Sequence, residues 1–389
     1  MISVLYFSNT LTRAGAEEHI LTLLRGLDRS RFRAHLVCTP EVAEKIRADV
    51  PSDVELTALR LRKPGDVGAA LSLARILRAR RVDVLHSHLF YSSLFASPVG
   101  KLFRVPLVVE TPHVREHWRR GLKASYAVDR FAGRFVDQYI AVSEANRRYL
   151  IEEKGLPPHK VVVIYNGCDV RRFHPHHQPP ACMRQSLGFQ DADPILLVVG
   201  RLEPQKGHRI LVDALPLVRR EFPSVRVICL GEGALRADLE RLAAETELAD
   251  SVRFVGLQAN VQDWLALADV TVLPSFYEGL PLAAIESLAA GRPMVATAVD
   301  GTPEIVLDGA TGLTVPPGDP AALARAICRL LADPWLREKL ALAGREWVLE
   351  RFAEERQVQR TQALYELALA RRGRRTRPEP RLAATGGHR

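Results

Sequence analysis

The stretch from Pro274 to Thr297, PSFYEGLPLAAIESLAAGRPMVAT, decides the fold. The apolar run before it, 267–274, reads as a buried strand, and 291–297 reads as the next one. Between them Gly279 opens a turn, and Leu282, Ile285 and Leu288 recur at helical spacing, which predicts a helix with one buried face. Strand, turn, helix and strand in that order form the repeating unit of a parallel sheet, because parallel strands need a crossover connection. The same stretch places Glu278 and Glu286 on either side of the helix start. A carboxylate delivered by a strand end, beside a helix N-terminus that favours anions, suits a polyhydroxylated, phosphorylated ligand.

The alternation continues outward. Strand-like runs fall at 2–7, 34–38, 82–86, 107–110, 138–142 and 161–164, with helical patterns at 15–27, 66–80, 90–103, 122–135 and 143–153. The pattern breaks at the Pro- and His-rich segment 173–180 and restarts at 195–200, 225–230, 252–255, 269–273, 293–297 and 312–315. Two α/β domains of the Rossmann type are therefore expected, over 1–174 and 184–351, joined by a linker over 175–183. A long amphipathic helix is expected over 352–371 and a disordered basic tail over 372–389.

Composition narrows the function classes. The 389 residues are 47% hydrophobic and 25% charged, enough for two full cores. No run approaches the roughly 20 apolar residues of a membrane span, and the N-terminus leads into a strand with no leader pattern. The five cysteines are scattered and odd in number, which fits reduced thiols in a cytoplasmic protein. Most of the net charge of +9 comes from the tail beyond residue 370, so a nucleic-acid partner is disfavoured. His174, His176 and His177 lack acidic or cysteine companions and read as a solvated cluster.

The second domain opens with GRLEPQKGH (200–208) directly after a strand. Gly200 permits a sharp turn, and Arg201 and Lys206 fall at the carboxyl edge of the sheet, where open α/β sheets bind ligands. With a helix starting near Gly207, two cations and a helix N-terminus suit a diphosphate. Two rival motifs fail. GEGALR (231–236) has Arg236 where a dinucleotide fingerprint needs its third glycine. Asp191 and Asp193 have metal-binding spacing, but they precede their strand and read as a solvated turn.

These segments, together with RAGAEE (13–18), VSE (142–144), YNGCD followed by FHP (165–175) and GTPEIVLDGATGLTVP (301–316), resemble the retaining GT-B glycosyltransferases of the "glycosyl transferases group 1" class, also called family 4. The resemblance runs through about residues 2–365. It implies two Rossmann-like domains facing each other across a cleft, an acceptor side in the first and a nucleotide-sugar side in the second, with the C-terminal helix packing back on the first domain. It implies that Arg201 and Lys206 grip the donor diphosphate, that Glu286 accepts from the ribose hydroxyls, and that Glu278 with the backbone of Gly279 and Leu280 contacts the transferred sugar. Gly15 is implied near the diphosphate, although Ala14 stands where the family usually has a first glycine. His113 matches a histidine facing the donor sugar and acceptor, and His86 and His88 are read as strand-end residues that at most line the cleft.

The implied reaction moves a sugar from a UDP- or GDP-type donor to an acceptor hydroxyl with retention, in polysaccharide, lipopolysaccharide or glycolipid synthesis. No metal and no cofactor are expected. The catalytic set is His113, Arg201, Lys206 and Glu278. Glu278 and Glu286 do not read as the pair about 5 Å apart that a covalent route requires. Expected partners are the donor and a glycan or lipid-linked acceptor. A basic, aromatic segment from Arg115 to Arg148, with Trp118, Tyr126, Phe131 and Phe135, suits anionic lipid at the inner face of the membrane. A silent sugar-nucleotide-binding scaffold subunit and a nucleotide-sugar epimerase remain the alternatives, the first weakened by the presence of all four ionisable residues.

Overall fold

The computed structural model describes residues 1–10, 15–62, 65–116 and 126–376, with side chains to Gly373. Within these residues the chain forms two wholly parallel sheets. The first contains β1 (Ile2–Ser8), β2 (Phe32–Cys38), β3 (Glu55–Ala58), β4 (Val84–His88), β5 (Leu107–Thr111), β6 (Gln138–Ala141) and β7 (Val161–Val163). The second contains β8 (Ile195–Val199), β9 (Arg226–Leu230), β10 (Val252–Gly256), β11 (Val270–Leu273), β12 (Met294–Thr297) and β13 (Leu313–Val315). The orders are β3-β2-β1-β4-β5-β6-β7 and β10-β9-β8-β11-β12-β13. Both are doubly wound, and each reverses direction beside its first strand, between β1 and β4 and between β8 and β11. A crevice opens at the strand carboxyl ends of such a switch point. The expected pair of Rossmann-like domains is therefore what forms.

The central strands are buried on both faces, as parallel sheets covered by helices require. β3 escapes the sequence pattern because Glu55–Ala58 is a four-residue edge strand with exposed ends and no apolar run. The predicted helix over 143–153 changes pitch, with an α-helix at Glu144–Arg148 running into a π-turn at Tyr149–Glu153. The helix expected over 122–135 is seen as Tyr126–Ala132, and its first residues lie outside the described ones.

The C-terminal helix Glu354–Thr376 packs on the first sheet, as expected. Its Tyr365 is fully buried in the core of Val4, Ile20, Phe32 and Val84. The chain reaches it through a backbone bridge, in which Cys168 N donates to Phe352 O at 2.9 Å and Glu354 N donates to Cys168 O at 3.0 Å. The switch point of the first sheet is thus backed by a helix from the far end of the chain.

Candidate active site

The switch point of the second sheet builds one wall of the site. After β8 the chain runs through Arg201 to a single 3-10 turn at Pro204–Lys206, then enters the helix His208–Glu221. Gly207 makes that entry with φ +65°, and a Cβ there would lie 2.0 Å from the carbonyl oxygen of Pro274. Glycine is therefore required on both counts. The close approach presses the loop after β8 against the loop after β11, and Gln205 pins them by donating to the Tyr277 carbonyl at 2.9 Å.

Lys206 Nζ lies 2.6 Å from Glu278 Oε1, and Ser275 Oγ donates to the same oxygen at 2.7 Å. Glu278 is only 5% exposed, so its charge is held by this pairing. Arg201 is exposed and donates to Gln205 Oε1 at 3.3 Å. Glu286 lies in the helix Leu282–Ala289, whose Ile285 and Leu288 are buried. Part of Glu286 stays exposed, yet burial lifts its pKa to about 7, with Arg172 opposing the rise and Glu18 from the first sheet's side adding to it. Gly15 begins the helix Gly15–Gly26 and is exposed; Arg13 and Ala14 lie outside the described residues.

The two domains meet over this wall. A Cβ at Gly279 would sit 1.8 Å from the His113 carbonyl oxygen, so only glycine lets the backbones approach this closely. Ser143 Oγ donates to the Gly279 carbonyl at 3.1 Å, and Asn166 Nδ2 to the Leu280 carbonyl at 3.4 Å. The Glu304 carboxylate accepts from the amides of Glu144 and Ala145 at 2.9 and 2.8 Å. Asp300 accepts from the Glu278 amide at 2.9 Å and lies 3.9 Å from Arg115. His113, Glu278, Gly279, Leu280 and Lys206 are thereby brought together, while Arg201 bonds to Gln205 instead, and Glu286 and Gly15 lie in the helices Leu282–Ala289 and Gly15–Gly26.

The first sheet contributes a wall of imidazoles. His86 and His88, read from sequence as marginal, are completely buried at the end of β4. His88 Nδ1 lies 3.0 Å from His113 Nε2. His86 bridges Tyr365 OH at 2.6 Å and Thr111 Oγ1 at 2.7 Å. His19 Nδ1 lies 2.8 Å from Asn166 Oδ1 and 3.0 Å from Gln357 Nε2. Burial holds His86, His88 and His113 well below the ordinary histidine range, with neighbouring imidazoles adding, and holds His19 at about 4 against the pull of its Asn166 hydrogen bond. All four are neutral at pH 7 and offer hydrogen bonds without charge.

Two family models match the chain, "Glycosyltransferase Family 4" over residues 13–172 and "Glycosyl transferases group 1" over 193–333. A glycogen synthase of Mycobacterium tuberculosis is 33% identical over 315 residues, covering 78% of this chain and 73% of that protein. The chain belongs to the group 1 glycosyltransferases. A D-inositol 3-phosphate glycosyltransferase of Streptomyces bingchenggensis is 32% identical, over 74% of this chain and 67% of its own length. Among solved structures, Anabaena HepE in complex with UDP-glucose superposes with a TM-score of 0.83 at 21% identity, covering 94% of this chain and 100% of that one. That likeness is one of fold, and it places the glycosyltransferase in the GT-B architecture.

Several residues of this glycosyltransferase were given the wrong surroundings by sequence. Asp193 is not solvated, since it accepts from Arg226 at 2.9 Å and from the Gln190 amide at 3.0 Å. His177 is half-buried and paired with Asp263, so only His174 and His176 stand exposed in that cluster. Tyr126 faces inward, 4% exposed in the small core with Tyr139 and Tyr149. His19, Ser143, Asn166, Asp300 and Glu304 received no role from sequence. Ser143, Asn166 and Glu304 sit inside the family-like segments, and that was the one signal available for them.

Proposed function

We propose that this glycosyltransferase moves a sugar from a nucleoside diphosphate donor, of the UDP or GDP type, to an acceptor hydroxyl with retention at the anomeric carbon. The observation that carries the reading is the Lys206–Glu278 pair at the second switch point, directly beneath the contact of Gly279 with His113. An arriving diphosphate offers Lys206 a stronger anion than one carboxylate oxygen. Lys206 then turns from Glu278 to the phosphate, and Glu278 is released to accept from the sugar hydroxyls. Arg201 reaches the same diphosphate from solvent, Glu286 takes the ribose hydroxyls, and Gly15 with its helix N-terminus faces the phosphates from the other domain.

In the reaction the bond from the anomeric carbon to the phosphate oxygen breaks, and its electron pair leaves with the nucleoside diphosphate. Lys206 and Arg201 stabilise that charge where it develops. The acceptor oxygen bonds to the same face of the sugar, and its proton passes to the departing phosphate oxygen. His113, neutral and buried, orients a sugar hydroxyl without titrating near pH 7. Incubation with donor labelled in the sugar, with and without candidate acceptors, tests the reading. Label must appear in an acceptor, with the configuration of the donor kept. Label remaining in an isomerised nucleotide sugar would favour the epimerase instead.

The acceptor is proposed to be a glycan or lipid-linked hydroxyl in cell-surface polysaccharide, lipopolysaccharide or glycolipid synthesis, reached from the first domain. Among the described residues of its basic segment, Phe131 is 58% exposed with Arg134 stacked over its ring at 5.6 Å and Phe135 beside it. No helix of the described residues is long and apolar enough to cross a membrane, so membrane contact of this kind would be peripheral. We expect sedimentation with anionic vesicles at low salt that is lost at high salt and weakened by Phe131→Ser. Binding equal to that of neutral vesicles would remove the membrane from the account.

A further inference from the structure

We propose that Asp300 is a positioning residue for the transfer reaction, one that fixes the turn Glu278–Leu280 and ties it to the first domain through Arg115. Its role rests on the assignment of Glu278 to the transferred sugar under the proposed function. Asp300 follows β12 and precedes the 3-10 turn Thr302–Glu304. Its φ is +41°, in the left-handed region that favours glycine and that a residue with a side chain enters at a cost. Such backbone persists only where its surroundings over-determine it, and it clusters at functional sites.

The side chain supplies the reason. Asp300 Oδ2 accepts from the Glu278 amide at 2.9 Å, and Oδ1 lies 3.9 Å from Arg115 Nη1. The Asp300 side chain is 16% exposed, so its attraction to Arg115 is screened less than that of a surface pair. Arg115 is itself held in place. Its guanidinium pairs with the Glu153 carboxylate and lies over the Tyr149 ring, 5.3 Å from the centroid. Arg115 stands two residues beyond His113, whose carbonyl meets Gly279. One carboxylate therefore joins the Glu278 turn to the segment of the first domain that faces it.

The next residue shows how closely the two loops of the second domain pack. A Cβ at Gly301 would lie 2.2 Å from the Gly279 carbonyl oxygen and 3.0 Å from Ser143 Cβ. Gly279 is thus gripped by His113, Ser143 and Gly301, while Asp300 grips the residue before it. Among the described residues the amides of Gly279 and Leu280 have no hydrogen-bond partner, so two donors stand open beside the Glu278 carboxylate. Their placement against a sugar's hydroxyls depends on the turn that Asp300 sets. Arg201, Lys206 and Glu286, assigned to the nucleotide, come from the loop after β8 and from the helix Leu282–Ala289. Loss of Asp300 is therefore felt by the sugar and not by the nucleotide.

Comparing intact donor with free nucleotide tests this without an acceptor. Dissociation constants are measured for UDP-glucose and UDP, and for GDP-mannose and GDP, on the wild-type chain and its variants. In Asp300→Gly the donor is expected to bind about tenfold more weakly, the scale of one or two hydrogen bonds, with the free nucleotide within about twofold. Glycine adopts φ +41° freely, so a residue that merely shaped the turn would be replaced without loss. Asp300→Asn, whose amide oxygen still accepts from Glu278, should recover part of the affinity. Unchanged donor binding in Asp300→Gly, equal weakening of donor and nucleotide, or no recovery in Asp300→Asn would overturn the proposal. Arg115→Gln leaves the backbone of the turn alone and should weaken donor binding severalfold while sparing the nucleotide. If a melt shows Asp300→Gly unfolded, unchanged donor binding in Arg115→Gln overturns the proposal in its place. A wild-type chain that binds none of the four ligands would overturn the proposed function and this role with it, whereas unaffected variants of a binding chain overturn only the role.

Discussion

Replacing Lys206 with alanine is expected to lower kcat by a factor on the order of 10²–10³, the usual cost of removing one group aimed at charge that develops in the transition state. Lys206 is the cation placed to receive that charge. Its Nζ sits 2.6 Å from a carboxylate that is nearly sealed from solvent, at the carboxyl end of the two strands flanking the switch point. The substitution leaves Glu278 with its Ser275 hydrogen bond and the Asp300 contact to its amide. A loss of about 3–5 kcal/mol in stability is the scale for removing one partner of a buried ion pair, against roughly 5–15 kcal/mol for a folded domain, so the melt must accompany the rate. Steady-state turnover and a thermal melt of the same sample measure both effects. Lys206→Arg should not rescue fully, because a planar guanidinium cannot occupy the compact ammonium's place between Gly200 and Glu278. Near-normal turnover in Lys206→Ala would remove Lys206 from the chemistry.

A steep loss of stability on mild acidification is the second large effect. His19 and His208 are held at about 4, both mainly by burial, and His86, His88 and His113 well below 6.5 by burial. The unfolded chain takes up protons on these residues near 6.5 and the native chain does not. Their contribution is thus complete above 6.5 and is lost as pH falls toward their folded values. Glu110 and Glu286 act in the opposite sense. Burial raises both to about 7, so they favour the native state below 4.5 and lose that contribution as pH rises through 7. Five histidines outweigh two carboxylates. Near pH 5.5 the balance has a slope of roughly 4 kcal/mol per pH unit as an upper limit, enough to exhaust the stability of a typical domain over about one to four units. Urea midpoints at pH 7.5 and 5.5 measure it, and a midpoint that stays level or rises on acidification would contradict the assignment of these imidazoles as neutral and buried.

Much of the architecture was legible because its signals are local. The strand runs of Val, Ile and Leu, the glycine-opened turns and the amphipathic helices each report on a few consecutive residues, and the alternation between them dictates parallel sheets. β3 was not legible, since a four-residue, half-exposed edge strand carries no apolar run. The wall made by Lys206 and Glu278 was legible for a different reason. Both residues follow strands directly, and a doubly wound sheet gathers its strand ends at one edge.

The imidazole wall was not legible, because its partners are distant in sequence. His19 lies on the buried face of an ordinary-looking helix, and its fixing contacts come from 147 and 338 residues away. His86 owes its burial to Tyr365, which a C-terminal helix brings back across the first sheet. Asp193 was misread for the same reason. Its arginine partner sits on the neighbouring strand, 33 residues on, and no local pattern shows that pairing.

Whether the Lys206–Glu278 site takes a nucleoside diphosphate sugar decides the function. Equilibrium binding of radiolabelled UDP- and GDP-sugars to the intact chain, repeated on Lys206→Ala and on Glu286→Gln, measures this directly. We expect saturable binding of one of these donors, weakened in both variants, with free nucleoside diphosphate competing. No binding of any such donor by the folded wild-type chain, or equal binding by all three proteins, would contradict it.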